Sequence, residues 1–192
     1  EVTSAAAKEA IELGWNRNHW LVFASGVEHA IHAAETLNDM GISAVAIHSK
    51  MSDKERDDAI RDFKAGKYRA AVNNNVLTTG FDFPAIDLIL CLRPTASAVL
   101  WVQMLGRGTR PFKGKENCLV LDFANNTRRL GPINDPVVPR RKGEKGGDAP
   151  VKECPVCSTW VHASLRWCDG FTANGAKCTH EFKFETKLFQ HT

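Results

Sequence analysis

The sequence has no long hydrophobic run, and this absence excludes a membrane-spanning helix. No apolar stretch approaches the roughly 18 residues that a membrane span needs. The first residues, EVTSAAAKEA, also lack the basic and then apolar order of a secretory signal. An initiator methionine is missing as well, so we expect the chain to be a fragment of a longer protein or a processed product. We predict no membrane partner.

The chain also lacks the context for a disulfide framework. It has six cysteines but no secretory signal, which an extracellular disulfide-rich domain requires. We therefore expect reduced cysteines and a cytoplasmic location. The remaining composition, 43% hydrophobic and 24% charged among 192 residues, excludes wholesale disorder and suits one or two globular domains.

Charge is distributed unevenly along the chain. Residues 1–127 carry 14 Lys and Arg against 15 Asp and Glu, whereas residues 128–192 carry 11 against 7. The basic part is therefore the C-terminal third, and basic tails often bind nucleic acid. A solvated linker is the alternative explanation of the same charge.

Short apolar runs alternate with helical patterns over the first 127 residues. These runs do not alternate cleanly between polar and apolar residues, which is typical of strands buried on both faces of a parallel sheet. The predicted strands are residues 21–24, 43–48, 69–72, 87–92 and 118–123.

Three helices are predicted between these strands. Apolar residues follow the helical spacing over 27–37, and Ser52 with Glu55 forms a capping box at the start of the next helix. A third helix is expected to begin after Pro94 and to run to about Leu105. This alternation of strand and helix predicts an α/β layer fold with right-handed crossovers.

The chain divides into three parts by composition. Residues 1–130 form the predicted α/β domain, and residues 131–150 are rich in Gly, Pro and charge, as in a linker. Residues 151–192 hold four of the six cysteines and form a predicted small module.

The segment QMLGRGTRP holds Gln103, Arg107 and Arg110, which share one face if the helix continues through them. Two guanidiniums on one face suit bidentate capture of phosphate oxygens. Gly106 and Gly108 weaken a helix, and close approach of a backbone or ligand is one reason to keep them. The alternative is a surface helix end with two solvated arginines.

A second polar segment, VLTTGFDFPAID, follows a predicted strand. Loops after the carboxyl ends of strands are where ligands bind in open α/β sheets. Thr78, Thr79 and Gly80 offer hydroxyls and amides to a phosphate. Asp82 would accept from a ribose hydroxyl or cap a turn.

Three segments together resemble motifs IV, V and VI of superfamily 2 helicases of the DEAD/DEAH type. They are LVFASGVEHA at 21–30, TTGFDFP at 78–84 and QMLGRGTRP at 103–111. Their order and separation are similar to those of the second RecA-like domain of that family, over about residues 5–125. The resemblance implies a RecA-like parallel sheet with helices on both faces.

The resemblance also implies roles for individual residues at a nucleotide site. Arg107 and Arg110 would be arginine fingers that stabilise charge on the transferring γ-phosphoryl group. Gln103 would lie on the nucleotide side of the same cleft. Gly80 and Asp82 would couple nucleotide to nucleic acid, with Asp82 near the ribose.

Other positions would contact the nucleic-acid backbone by the same resemblance. These are Ser25, Gly26, Thr78 and Thr79, with His48 and Ser49 as weaker candidates. The alternative for His48 is a plain strand-end residue. The alternative for Ser25 is the N-cap of the following helix.

Two helicase motifs are missing from the sequence. It contains no G-x-x-x-x-G-K-[ST] loop to hold nucleotide phosphates and no D-E-x-[DH] segment for Mg²⁺. In the family both belong to the first RecA-like domain, so ATP and Mg²⁺ would be held mainly by that N-terminal domain of the same protein. We expect negligible ATPase activity from this chain alone.

Cys154, Cys157, Cys168 and Cys178 are predicted zinc ligands. Cys154 and Cys157 form a C-x₂-C pair, and two such corners close a tetrahedral Zn²⁺ site. A second C-x₂-C is absent, so His162 or His180 is an alternative ligand. Flanking strands at 159–163 and 180–186 would make the module zinc-ribbon-like. The role of the module stays open between nucleic-acid binding, protein docking and a purely structural core.

The sequence therefore predicts the C-terminal half of an ATP-dependent superfamily 2 helicase or translocase, acting on DNA rather than RNA, in a bacterial or phage-encoded protein. Cys91 and Cys118 are predicted to be buried core thiols. The alternative is a non-catalytic module that binds nucleic acid or protein on a helicase-like scaffold. A nuclease would need a carboxylate cluster that the sequence does not contain.

Overall fold

The computed structural model describes residues 2–74, 76, 81–137 and 151–183. Its helices are α1 (Val2–Leu13), α2 (Val27–Asp39), α3 (Asp53–Lys64), α4 (Ala98–Gly106) and α5 (Asn126–Leu130). Its strands are β1 (Trp20–Phe23), β2 (Ala44–Ile47), β3 (Ala70–Asn73), β4 (Leu88–Cys91), β5 (Leu119–Asp122), β6 (Val151–Glu153) and β7 (Trp160–His162). Within these ranges no helix is long and apolar enough to cross a bilayer.

The first five strands form one parallel sheet in the order β2-β3-β1-β4-β5. All five lie within the predicted apolar runs to within one residue. The three central strands are buried along their whole length, which explains why their sequences do not alternate. The predicted parallel α/β sheet is confirmed.

Helices cover both faces of this sheet. Leu21 and Phe23 of β1 pack in a core with α3 and α4, whereas Trp20 and Val22 pack in a second core with α1 and α2. This division follows from the alternation of side chains along a strand. The sheet therefore lies between two layers of helices.

The predicted start of α3 is confirmed in atomic detail. The Ser52 side chain accepts a hydrogen bond from the Glu55 backbone N–H at 3.3 Å, and the Glu55 carboxylate accepts one from the Ser52 N–H at 2.9 Å. Such a reciprocal cap satisfies two N–H groups that the first helical turn leaves unpaired.

The predicted end of α4 at about Leu105 is confirmed. The helix ends at Gly106, with Arg107 as its C-cap, so Gln103, Arg107 and Arg110 do not share one helical face. Two glycines within three residues lower the helical propensity at this point. Arg107 and Arg110 are therefore displayed by a turn.

The cysteine-bearing segment forms a second, much smaller sheet. Strands β6 and β7 pair antiparallel, with Lys152 opposite Val161. The prediction of a strand at 159–163 is confirmed by β7. The predicted strand at 180–186 is wrong over its described part, where Glu181 makes only an isolated bridge with Trp167. Residues 184–186 lie outside the described ranges.

Candidate functional site

An open cleft lies between the turn after α4 and the segment that leads into β4. Its volume is about 550 Å³, and its lining residues are Phe81, Asp82, Pro84, Arg107, Arg110 and Pro111. The structure thus brings together three of the residues that the sequence predicted for a nucleotide site, with both arginines beyond the last residue of α4.

The two arginines are held differently. The Arg107 guanidinium donates from Nη1 to the Phe81 carbonyl at 2.6 Å. Burial lowers the pKa of Arg107, Arg110 lowers it further and Asp82 raises it, but a guanidinium stays charged at neutral pH. Arg110 forms an ion pair with Asp82, whose side chain is 72% exposed. Such an exposed pair is weak, so Arg110 can exchange this carboxylate for another anion.

Of the other predicted nucleotide residues that the structure describes, Asp82 lines the cleft and Gln103 does not. Gln103 is exposed on α4 and is not among the cleft-lining residues. Gly80, with Thr78 and Thr79, lies outside the described residues. Asp82 is in the cleft, where its partner is Arg110.

Residues at the carboxyl end of β1 form a separate polar group. The Ser25 backbone N–H donates to Nδ1 of His29 at 3.3 Å, and the Ser25 hydroxyl donates to the Leu92 carbonyl at 3.4 Å. Burial, and then His32, lower the pKa of His29, which favours the neutral ring that this acceptor role requires. The reading of Ser25 as N-cap is wrong, because Gly26 occupies that position.

His48 and Ser49 follow β2, the neighbour of β3. The carboxyl ends of parallel strands meet at one edge of a sheet, so Ser25 and Gly26 after β1 share this edge with His48 and Ser49. The His48 carbonyl accepts from the Met51 N–H at 3.2 Å, and within the described residues its buried Nδ1 has no hydrogen-bond partner. None of these four residues lines the arginine cleft.

Sequence reasoning missed the residues that fix α4. Asn126, fully buried, accepts from the Thr95 N–H at 2.9 Å and donates to the Arg93 carbonyl at 2.9 Å. The indole N–H of Trp101, on α4 itself, donates to the Gly131 carbonyl at 3.0 Å. Residue type alone does not reveal these contacts, because each joins segments about 30 residues apart.

The four predicted zinc ligands come together in the small module. All four Sγ atoms lie within 4.8 Å of one another, with Cys154 to Cys178 at 3.8 Å and Cys157 to Cys168 at 3.5 Å. Tetrahedral Zn–S bonds of about 2.3 Å place sulfurs about 3.8 Å apart, so this donor set fits zinc.

Hydrogen bonds favour a thiolate at Cys154, whereas the pKa values of Cys168 and Cys178 are raised. Burial raises the pKa of the Cys154 thiol, but hydrogen bonds from the N–H groups of Val156 and Cys157 and from the side chains of Cys157 and Cys168 prevail and bring it to about 7. The Gly170 N–H donates to the Cys168 sulfur at 3.3 Å. Amides pointing at sulfur stabilise the charged form that binds a metal.

The histidine alternatives have other partners. Nε2 of His162 lies 2.8 Å from an Asp135 carboxylate oxygen, and its Nδ1 lies 2.6 Å from the Ser164 hydroxyl. The ring of His180 packs edge-on against Phe182, with centroids 4.8 Å apart. Among the described residues, the group that can hold a metal consists of the four cysteines.

Comparison with known proteins gives consistent matches to the α/β domain. The family model described as the helicase conserved C-terminal domain matches residues 6–111. The putative mitochondrial ATP-dependent helicase irc3 of Schizosaccharomyces pombe is 41% identical over 128 residues, which are 67% of this chain and 21% of that protein. The matched part of the chain thus spans about a fifth of this relative.

Two solved structures show the same fold. S. cerevisiae Dbp5 bound to RNA and ADP BeF3 has a TM-score of 0.54 at 18% identity, covering 62% of this chain and 31% of that chain. Mycobacterium smegmatis helicase Lhr bound to ssDNA and AMP-PNP has a TM-score of 0.53 at 26% identity, covering 62% and 16%. The chain therefore belongs to the helicase conserved C-terminal domain family, with the C-terminal RecA-like fold of superfamily 2 helicases.

Proposed function

We propose that this chain is the second RecA-like domain of an ATP-dependent superfamily 2 helicase or translocase, in which Arg107 and Arg110 act as arginine fingers. The observation that carries the proposal is the shared cleft into which both guanidiniums and Asp82 face. A charge-rich cleft with two guanidiniums suits the triphosphate of ATP, whose transferring group develops charge on its oxygens.

The composition of the cleft supports a site in which one domain supplies the arginines and the other domain holds the metal. Asp82 is the one carboxylate among its described lining residues, and it already pairs with Arg110. A Mg²⁺ site usually combines carboxylates with substrate phosphates, so we assign the metal to the N-terminal RecA-like domain of the longer protein. When bound there, ATP with Mg²⁺ would supply the phosphoryl group, and Arg107 and Arg110 would orient and stabilise it.

We assign nucleic acid to a different region from the arginine cleft. Ser25, Gly26, His48 and Ser49 share the carboxyl edge of the sheet, and small or polar residues there leave room for a phosphate backbone. Thr78 and Thr79 complete the proposed track by their position in the sequence. We favour DNA over RNA on the motif resemblance alone, since the similar proteins include a helicase bound to ssDNA as well as a probable RNA helicase.

The test is Arg107→Ala and Arg110→Ala in the longer protein that contains this chain. Each is expected to lower kcat for nucleic-acid-stimulated ATP hydrolysis by about 10³-fold or more, the scale of a lost arginine finger. Circular dichroism and melting temperature check the fold. Arg61→Ala, on the exposed side of α3 beside Asp58 and Asp62, is the matched control and is expected to keep full turnover.

Either arginine variant with wild-type turnover would reject the assignment. The chain by itself, without the first domain, is expected to hydrolyse no ATP above background. If no longer protein with a nucleotide-binding loop exists, the remaining function is the non-catalytic binding module built on this scaffold.

We also propose Zn²⁺ as the resident ion of the cysteine cluster, supported by the separation of its four sulfurs. The domain division is part of the same proposal, with residues 1–130 as the motor domain, 131–150 as a linker and 151–192 as a zinc-ribbon-like module.

Thiolate ligands need a reducing compartment, which supports a cytoplasmic location. A bacterial or phage origin rests on the motif resemblance alone.

A further inference from the structure

Lys115 holds the two walls of the arginine cleft together. It lies in the segment between α4 and β5, and its ammonium donates to three backbone carbonyls: Pro84 at 3.0 Å, Gly108 at 2.7 Å and Arg110 at 2.9 Å. An ammonium has three N–H donors, so these bonds use all of them. Nothing in the motif pattern of the sequence marks this residue.

The three acceptors come from both walls. Pro84 belongs to the segment that carries Phe81 and Asp82, whereas Gly108 and Arg110 belong to the turn that displays the arginines. Burial lowers the pKa of Lys115, while Cys118 and Asp87 raise it. Hydrogen bonds from a charged, partly desolvated donor are stronger than neutral ones.

Among the described residues, Arg107 and Arg110 also join the same walls, through their own side chains. Arg107 donates to the Phe81 carbonyl, and Arg110 pairs with Asp82. A phosphate bound by these guanidiniums would compete with both contacts. Lys115 is not one of the residues that line the cleft, so its three bonds do not compete with a phosphate held by the arginines.

We propose that Lys115 is a positioning residue that fixes the arginine turn against the Phe81–Pro84 wall, so that Arg107 and Arg110 meet the triphosphate in a productive arrangement. The inference rests on the proposed function, because it assigns Lys115 an effect only through the arginines. A misplacement of about 1 Å is enough to cost about 10²-fold in rate.

The experiment compares three variants of the longer, two-domain protein: Lys115→Met, Lys113→Met and Arg110→Ala. Lys115→Met removes the ammonium but keeps most of the side-chain length. We expect it to lower kcat by about 10- to 100-fold while KM for ATP changes by less than about threefold. Lys113→Met, an exposed lysine of the same segment, is the matched control and is expected to be neutral.

The double variant Lys115→Met with Arg110→Ala separates positioning from general damage. If Lys115 acts through the arginine turn, its removal is expected to lower kcat by a smaller factor once Arg110 is gone than in the wild type, because Arg107 alone is then left to be misplaced. Costs that multiply in the double variant, or a wild-type kcat for Lys115→Met, would overturn the inference. Wild-type turnover of Arg110→Ala would instead reject the proposed function itself.

Discussion

At the scale of single residues, Gly108 is packed so closely that a side chain there would collide with its neighbours. A Cβ atom at this position would lie 2.3 Å from the Cys118 sulfur and 2.9 Å from Cδ1 of Ile89. Gly108→Ala is therefore expected to lower the free energy of unfolding by about 1–3 kcal/mol. Denaturant unfolding followed by circular dichroism measures this loss.

Gly106 provides the matched control for that substitution. A Cβ atom there would meet nothing within 4 Å, and Gly106 is the last residue of α4. Gly106→Ala is expected to be neutral or to stabilise by up to about 1 kcal/mol. Equal losses for the two alanines would show that packing at Gly108 is not the cause.

These glycines also show which features of the site could be predicted from the sequence. Close approach was one reason to expect glycine at both positions. Among the described residues it occurs at Gly108, where the neighbours are core side chains. The location of Arg107, Arg110 and Asp82 in one cleft was predictable from the resemblance to two helicase motifs. The contacts of Lys115 were not predictable from the sequence, because its acceptors are backbone carbonyls, which every residue type possesses.

At the scale of elements, the described part of the small module has little core, so we expect it to need a metal in order to fold. Its buried cluster consists of Val161 with three cysteines, and its two strands have three residues each. Domains this small usually need a structural ion or disulfides. The α/β domain has two extensive cores of its own.

We therefore expect about one zinc per chain by metal analysis. A strong chelator is expected to unfold residues 151–183 and to leave β1 intact, which hydrogen exchange resolves element by element. Cys154→Ser is expected to lose the zinc, whereas Cys118→Ser, outside the cluster, is expected to keep it. Zinc retention by Cys154→Ser would contradict the assigned ligand set.

The strands and helices of the α/β domain that the sequence predicted were found close to their predicted ends. Buried strands and the capping box at Ser52 are local features, so sequence spacing revealed them. The end of α4 depends on the balance between two glycines and the contacts of the following turn, including Gly108 against Ile89. The strand predicted at 180–186 does not form over residues 180–183, because these residues follow the last cysteine and ligand spacing does not constrain the backbone beyond it.

At the scale of the whole molecule, charge separates the two parts of the chain. Residues 1–127 have one more acidic than basic residue, whereas residues 128–192 have 11 basic against 7 acidic. We expect the chain to bind single-stranded DNA, with an affinity that falls as salt rises by about 0.7 log units per log unit of salt for each phosphate contact. Fluorescence anisotropy over a salt series measures this slope.

Charge reversal at residues 140 and 141 tests whether the basic residues 128–192 cause this salt dependence. Arg140→Glu with Arg141→Glu is expected to weaken binding and to flatten the slope. Lys54→Glu, on an exposed position of α3, is the control and is expected to leave both unchanged. Absence of binding at low salt would assign the affinity to the first domain and the zinc module to another partner.

The position of β1 at the centre of the sheet has a consequence for synthesis of the chain. Trp20 aligns with Ala70 on one side and with Leu88 on the other, 50 and 68 residues later. At about 5–20 residues per second, a ribosome needs about 3–14 s to deliver the second neighbour. During those seconds β1, one of the most hydrophobic strands of the nascent chain, has an unpaired edge. A chaperone would protect β1 from aggregation in this interval.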